Sequence, residues 1–331
     1  MQNKIKTILM GTPEFAENIF RKIYPELISR DFEIIAVVTA PDKPTGRKQV
    51  LTPSPVKKWA LEANLRVLQP DKIRKPEWVA KIKDLVPDLI ILTAFGQIIP
   101  QEILDIPKHG ALNIHPSLLP KYRGASPIQS VILNGETETG ACLMIMDAEM
   151  DHGQIISKSK YQISNKITYK ELEKQLSDLS IDLLIKTLPD YVNGKLKPQE
   201  QDHSRATFCK LIKKEDGKID WNKSAEEIDC QIRAFQEWPR SYTNFNDKIL
   251  KILETEVFLS PPNNSSCPLD VPLTFPSKSP GHVFLTDSHD LVVQTGNGIL
   301  ILKTLQLEGK NPTSASAFFN GHKEIIGTIL K

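Results

Sequence analysis

Short, almost unbroken apolar runs recur through the first half of the chain, separated by stretches of helical spacing. IKTILM (5–10), FEIIAVVTA (32–40), RVLQP (66–70), DLIILTAFG (88–96), ALNIH (111–115) and GACLMIMD (140–147) read as strands. Apolar runs of this length predict strands covered on both faces. Thr12, Pro13 and Glu14 predict a helix start, with a capping hydroxyl, a proline in the first turn and an acid near the positive dipole end. Phe15, Ile19, Phe20 and Ile23 give that helix one apolar side, and Pro25 is expected to end or kink it. Residues 41–60 read as a loop and 126–134 as a helix. Residues 170–188 form an amphipathic pattern with Leu172, Leu176, Leu179 and Leu183 on one side. Strands alternating with helices imply an α/β unit built on a mainly parallel sheet. Ligands in such sheets bind beyond the strand C-terminal ends, where Thr93–Gly96 and Asn113–His115 stand.

The pattern changes after a polar stretch at 190–207. YTNFNDKILKILETEVF (242–258), HDLVVQTG (289–296) and GILILKTLQL (298–307) are strand-like pieces with turn signals between them. They predict a smaller, mainly β domain, a barrel or a sandwich. The Pro-, Asn- and Ser-rich residues 257–281 read as a flexible insert. The domains are therefore expected at 1–189 and 208–331, joined by a linker at 190–207. A chain of 331 residues fits two cores better than one.

Composition narrows the function little. With 40% hydrophobic residues, 25% charged residues and a formal net charge of +2, no global field draws the protein to nucleic acid, so any such affinity must be local. Cys142, Cys209, Cys230 and Cys267 have neither CxxC nor metal-ligand spacing, which points to reduced thiols and a cytoplasmic protein. The N-terminal apolar run fits a strand rather than a signal peptide, and no segment is long enough for a bilayer, so no membrane association is expected.

Candidate chemistry lies at the fifth run. Strand side chains alternate, so Asn113 and His115 point one way and Ile114 the other. Pro116 and Pro120 stiffen the exit. MDAEMDHGQII (146–156) brings Asp147, Asp151 and His152 onto a loop after the next strand, from which a carboxylate can return to the same place. Amide, imidazole and carboxylate suit acyl transfer to an amine, with Asn113 and His115 as oxyanion donors and Asp151 orienting His115. From spacing alone, the strand-end reading, in which Asn113 and His115 satisfy loop backbone, is the one favoured. A metal site at His109, His115, Asp151 and His152 matches no metal spacing, and none is expected. Ser117 lacks a G-x-S-x-G elbow, GTP at 11–13 lacks the P-loop GK[ST], and no G-x-G-x-x-G occurs.

LNIHPSLLPKYRGASPIQSVILNG (112–135) followed by GACLMIMDAEMDHGQII (140–156) resembles the folate-dependent formyltransferases. MGTPEFAENIF, TAPDKPTGRKQVLTPSPVKKWA, TAFGQIIP, KIDWNKSAEEIDCQIRAFQEWPRSY and TGNGILILKTLQLEGKNPTSA extend the resemblance over nearly the whole chain, to the branch acting on methionyl-tRNA. The resemblance implies a Rossmann-like catalytic domain and an OB-like C-terminal β-barrel that binds tRNA. It implies 10-formyltetrahydrofolate as formyl donor, without a metal, and methionyl initiator tRNA as acceptor. Other acceptors, an amino sugar or water, are the alternative within the family. The implied catalytic triplet is Asn113, His115 and Asp151. Phe95, Gly96 and Gln97 are implied to meet folate through backbone groups, Ser117, Leu118, Leu119 and Pro120 to line the pocket, and Asp147 to support it.

Two basic stretches complete the picture. Residues 41–60 carry Lys43, Arg47, Lys48, Lys57 and Lys58 against Asp42, and residues 195–214 carry six cations against two acids. Alone, these read as solvated faces. By resemblance, Lys43, Arg47 and Lys48 meet the tRNA acceptor end, and Lys210, Lys213 and Lys214 its arm. A monomer is expected.

Overall fold

A computed structural model describes residues 4–46, 48–258 and 279–331. The chain divides into two compact units. The first comprises residues 1–127, 138–163 and 172–210, and the second 128–137, 164–171 and 211–331.

The first unit is a seven-stranded sheet in the order Ile155–Gln162, Glu138–Ile145, Ala111–His115, Leu89–Leu92, Ile5–Met10, Phe32–Val38 and Val67–Leu68. The five strands from Ala111–His115 to Val67–Leu68 are parallel. At the other edge Glu138–Ile145 runs antiparallel to both of its neighbours, Ala111–His115 and Ile155–Gln162, which leaves the sheet mainly parallel, as its apolar runs predict. Ile155–Gln162 alternates half-buried and exposed positions, the signature of an edge strand, and it is absent from the apolar-run reading because it has no continuous apolar run. Ile8, Met10, Ala36, Val38, Ile90 and Leu92 share one buried cluster on one face. Leu9 and Val37, one residue out of phase, are also fully buried, so both faces are covered.

Local details depart from the pattern. The first helix, Glu14–Ile28, has Pro13 at its N-cap and no side-chain cap. Thr12 Oγ instead donates to the Phe95 carbonyl at 3.0 Å. The helix runs through Pro25 rather than ending there, because Pro25 is exposed and the Arg21 carbonyl that loses its partner can be hydrated. Residues 41–60 are not simply a loop. They hold a hairpin pairing Lys43–Thr45 with Val50–Thr52, then the helix Pro55–Glu62. Ser54 caps that helix by accepting from Lys57 N, and Pro55 sits in its first turn. Trp59 packs on Phe20 and Tyr24 of the first helix.

The long helix continues to Val192, into the stretch read as a linker. The rest of that stretch is bonded to the first unit. Gln199 exchanges two backbone bonds with Ile155, and Phe208–Cys209 pairs in parallel with Arg123–Gly124.

The second unit is an antiparallel half-barrel sheet. It contains Ser241–Phe245, Lys248–Phe258, Ile299–Leu307, Leu291–Gln294 and Val283–Leu285, with Thr313–Ser314 added to the Ile299–Leu307 strand. Asn246 and Asp247 both take positive φ, 47° and 58°, as a two-residue hairpin turn requires. Irregular register at 252–255 bends the long strand. The helix Ala225–Ala234 begins with a Ser224–Glu227 capping box and places Ile228 and Ile232 in a core with Trp221, Phe245, Leu250 and Leu302. Val257 and Phe258 complete a strand rather than opening the insert, and residues 259–278 lie outside the described residues. Cys142, Cys209 and Cys230 are free thiols; Cys267 lies outside the described residues. Burial pushes the Cys142 thiol up to about 12, which leaves it inert. Among the described residues no helix is long and apolar enough to cross a membrane.

Candidate active site

The Ala111–His115 strand stands between a parallel and an antiparallel neighbour, which buries both of its polar side chains. Asn113 is 7% exposed and His115 4% exposed. Buried polar groups at a strand end must find partners, and those partners define the site. Asn113 Nδ2 donates to Asp151 Oδ1 at 3.1 Å. His115 Nε2 lies 2.9 Å from the Tyr122 carbonyl. A carbonyl only accepts, so Nε2 carries a hydrogen. That leaves His115 Nδ1 turned to Asp151 Oδ1, at 3.6 Å. Asn113, His115 and Asp151, separated by up to 38 positions in the chain, therefore converge on one carboxylate oxygen.

The Asp151 turn follows from its sequence. Asp151 has φ 49°, a left-handed conformation that aspartate tolerates better than most residues. Gly153 then returns the chain along the Glu138–Ile145 strand, with Ile145 N donating to the Gln154 carbonyl. A Cβ at Gly153 would lie 2.0 Å from the Ile145 carbonyl oxygen, so only glycine fits. The second carboxylate oxygen of Asp151 accepts from Gly124 N at 2.8 Å. Gly124 has φ 116°, and a Cβ there would meet the Cys209 carbonyl at 2.3 Å.

Sequence reasoning assigned no role to Tyr122, Arg123, Gly124, Gln201 or His203. Gln201 donates to the carbonyls of Asp151 and Gly153, and Arg123 donates to Gln201 and to His203 Nδ1. His152 stacks on His203 with ring centroids 4.0 Å apart and bonds Asp147 Oδ2 at 2.7 Å. The available signal was the run Tyr122–Arg123–Gly124, a charge and a glycine close behind the polar strand end. Gln201, 50 positions beyond Asp151, carried none.

The other candidates fall into three groups. Phe95 is buried in the sheet core, and Gln97 is engaged at both ends, with Ile73 N and the Pro70 carbonyl. Their side chains are structural, and only their backbone is available to a ligand. Gly96, at φ 80°, has open space where a Cβ would stand. Ser117 is fully buried and donates to the Lys121 carbonyl. Leu118 packs over Gly140, Leu119 over Cys142 and Met144, and the Leu119–Pro120 peptide is cis. Asp147, bonded to His152 and to Glu149 N, holds its own loop.

Lys43 and Lys48 are exposed on the 43–52 hairpin, and Arg47 between them lies outside the described residues. Lys57 is paired with Asp42 at 2.8 Å. Hydrogen bonds from Lys57 and Gln69 hold the Asp42 carboxyl below the usual aspartate range, so this pair is neutral and the hairpin lysines carry the charge. Lys210 ends the first unit, Lys213 and Lys214 belong to the second, and all three are exposed.

Residues 3–188 match the formyl transferase family, and residues 211–323 match the formyl transferase C-terminal domain. The methionyl-tRNA formyltransferase of Geobacter sulfurreducens is 41% identical over 326 residues, covering 98% of this chain and 96% of that protein. The methionyl-tRNA formyltransferase of Clostridium novyi is 38% identical over 328 residues, covering 99% of this chain and 100% of that one. Among solved structures, the sugar 3N-formyl transferase WlaRD, crystallised with dTDP and 5-N-formyl-THF, shares the fold with a TM-score of 0.62 at 22% identity, over 93% of this chain and 100% of that one. HypX from Aquifex aeolicus in complex with tetrahydrofolic acid gives a TM-score of 0.62 at 14% identity, over 98% of this chain but only 48% of HypX. On the extent of both domain matches and of the full-length identity, the chain belongs to the formyl transferase family.

Proposed function

We propose that this protein transfers a formyl group from 10-formyltetrahydrofolate to the α-amino group of methionine on initiator tRNA, with Asn113, His115 and Asp151 as its catalytic residues. The observation that carries the reading is the meeting of the Asn113 amide and His115 Nδ1 at one Asp151 oxygen. An α-amino group has an ordinary pKa of about 8, so a useful neutral fraction exists at neutral pH. Its nitrogen attacks the formyl carbon, a C–N bond forms, and the carbonyl electron pair moves to oxygen. One Asn113 amide hydrogen goes to Asp151, and the other donates to that oxyanion. His115 is not the oxyanion donor its place on the strand suggests, because its Nε2–H is spent on the Tyr122 carbonyl; its Nδ1, facing the carboxylate, takes the proton from the attacking amine, and Asp151 stabilises the imidazolium. Collapse breaks the bond to N10 of the folate, and the proton passes to that nitrogen. No covalent enzyme intermediate is needed, because the gain comes from holding amine and carbonyl together.

Folate lies beyond the strand ends, against Gly96 and the backbone of Phe95 and Gln97, and along Ser117–Pro120. Asp147 supports the loop that carries Asp151. Lys43, Arg47 and Lys48 meet the acceptor end of the tRNA, and Lys210, Lys213 and Lys214 its phosphates. The C-terminal domain binds the tRNA, and the protein works as a cytoplasmic monomer. The test is to supply purified protein and 10-formyltetrahydrofolate with methionyl initiator tRNA, an amino-sugar nucleotide, or no acceptor. Formyl-methionyl-tRNA is the expected product. Turnover on the sugar nucleotide alone, or hydrolysis of the donor alone, defeats the reading.

A further inference from the structure

Arg123 presents a problem in physical chemistry. Its side chain is a permanent charge, it is 4% exposed, and the partners of its guanidinium are neutral: Gln201 Oε1, at 3.2 Å from Nε and 2.7 Å from a terminal nitrogen, and His203 Nδ1 at 2.9 Å. A buried cation held this way is less well solvated than in water, so its position asks for a reason other than stability. Gln201 is equally buried, at 5%, and all its polar capacity is used. Its oxygen takes both Arg123 bonds. Its two amide hydrogens go to the Asp151 carbonyl at 2.9 Å and the Gly153 carbonyl at 2.7 Å. The residue after Arg123 supplies the N–H that holds the Asp151 carboxylate at 2.8 Å. The bonds therefore close a ring. It runs from the Arg123 side chain through Gln201 to the Asp151 backbone, across the Asp151 side chain to Gly124 N, and back along the main chain to Arg123.

We propose that Arg123 and Gln201 are positioning residues, a buried strut that fixes the left-handed Asp151 turn so that its carboxylate stays on Asn113 and His115 during formyl transfer. Asp151 needs such a strut for two reasons. Its φ of 49° lies outside the region an L-residue prefers, so the turn relaxes unless its carbonyls are tied. Its loop also carries an exposed Met150 on the other side of the aspartate, which gives no apolar anchor there. The guanidinium suits the task because it polarises the Gln201 amide, and charge-assisted bonds are stronger than neutral ones. His203 completes the fork with Nδ1 as acceptor, which requires its neutral form, and the His152 ring stacked on it joins the strut to the residue that follows Asp151. This inference rests on Asp151 being a catalytic group.

Gln201→Glu separates the strut from general stability. A glutamate keeps and strengthens the bond to Arg123, so the buried charge gains an anionic partner, but it cannot donate to the two carbonyls and repels them. The protein is expected to melt within a few degrees of the wild type, with KM for donor and for tRNA within about twofold. The value of kcat is expected to fall about 30- to 100-fold, the loss that a misplacement near 1 Å produces. In an Asp151→Asn background the same change should have little further effect, since both act through one group. Arg123→Lys keeps the charge but only one donor nitrogen in place of the fork, and should lose about tenfold in kcat, which serves if the glutamate variant does not fold. An unchanged kcat in Gln201→Glu, or full additivity with Asp151→Asn, overturns the strut. Crystals of Gln201→Glu give an answer that does not depend on activity. The Asp151 carboxylate withdrawn from the Asn113 amide supports the strut even if the wild type proves inactive on tRNA, whereas a carboxylate that has not moved overturns it.

Discussion

The mouth of the Ala111–His115 strand and the 43–52 hairpin are both polar interruptions between apolar elements, yet their polar groups are in opposite states. At the strand mouth Asn113 and His115 are buried, Asp151 is half-buried, and all three are tied. Asn113 bonds Asp151, His115 bonds Tyr122, and Asp151 bonds Gly124. On the hairpin Lys43 and Lys48 stand in solvent, and the partly buried cation of that region, Lys57, is neutralised by Asp42. Burial forces polar groups to declare their partners, so the mouth shows its chemistry before any ligand arrives. Exposed charges are already satisfied by water and declare nothing until phosphates displace it.

The largest effect that would break this contrast belongs to the mouth. Asn113→Ala is expected to cut kcat by about 10²–10³-fold, the value of one oxyanion donor, while circular dichroism shows the fold retained. A loss confined to KM would mean that the amide binds rather than stabilises the intermediate. The hairpin should behave otherwise. Lys43→Ala with Lys48→Ala is expected to raise KM for tRNA roughly tenfold, lower the salt dependence of tRNA binding by up to about two in log–log slope, and leave donor KM alone. Arg47→Ala should likewise weaken the use of tRNA more than folate binding, and equal loss of both would remove the hairpin from the acceptor site. The smallest effect belongs to the internal pair. The folded Asp42 carboxyl is held below its usual range, by Lys57 first and then Gln69. Its contribution to stability is therefore full at pH values above the usual aspartate range and is lost as pH falls through the depressed value. Lys57→Met should melt slightly lower than wild type at neutral pH, with the gap closing in acid. A gap that persists at low pH would assign the loss to packing of the lysine stem.

The strands of the sheet were legible because a strand covered on both faces has only apolar residues to offer. The Ala111–His115 strand was read to the residue for that reason, and its polar pair stood out against it. Half-exposed elements were less legible. The Ile155–Gln162 edge strand alternates too weakly to register, and the Pro55–Glu62 helix was masked by the lysines and prolines around it. Pro25 reads as a stop or a kink because sequence does not show whether the carbonyl it strands can reach water.

By itself the sequence determined the α/β alternation, a mainly β second half, and an amide, an imidazole and a carboxylate in segments that chain connectivity brings to one end of a sheet. Resemblance supplied their roles. What only the tertiary structure decided is which atoms meet. His115 Nε2 is spent on Tyr122, leaving Nδ1 for Asp151, and Arg123 reaches the Asp151 turn through Gln201, which lies 78 positions from Arg123 in the chain. Periodicity reports which way a side chain faces because that is set by neighbouring dihedrals. Hydrogen-bond partners across long separations are set by the packing of whole elements, which leaves no local trace in the sequence.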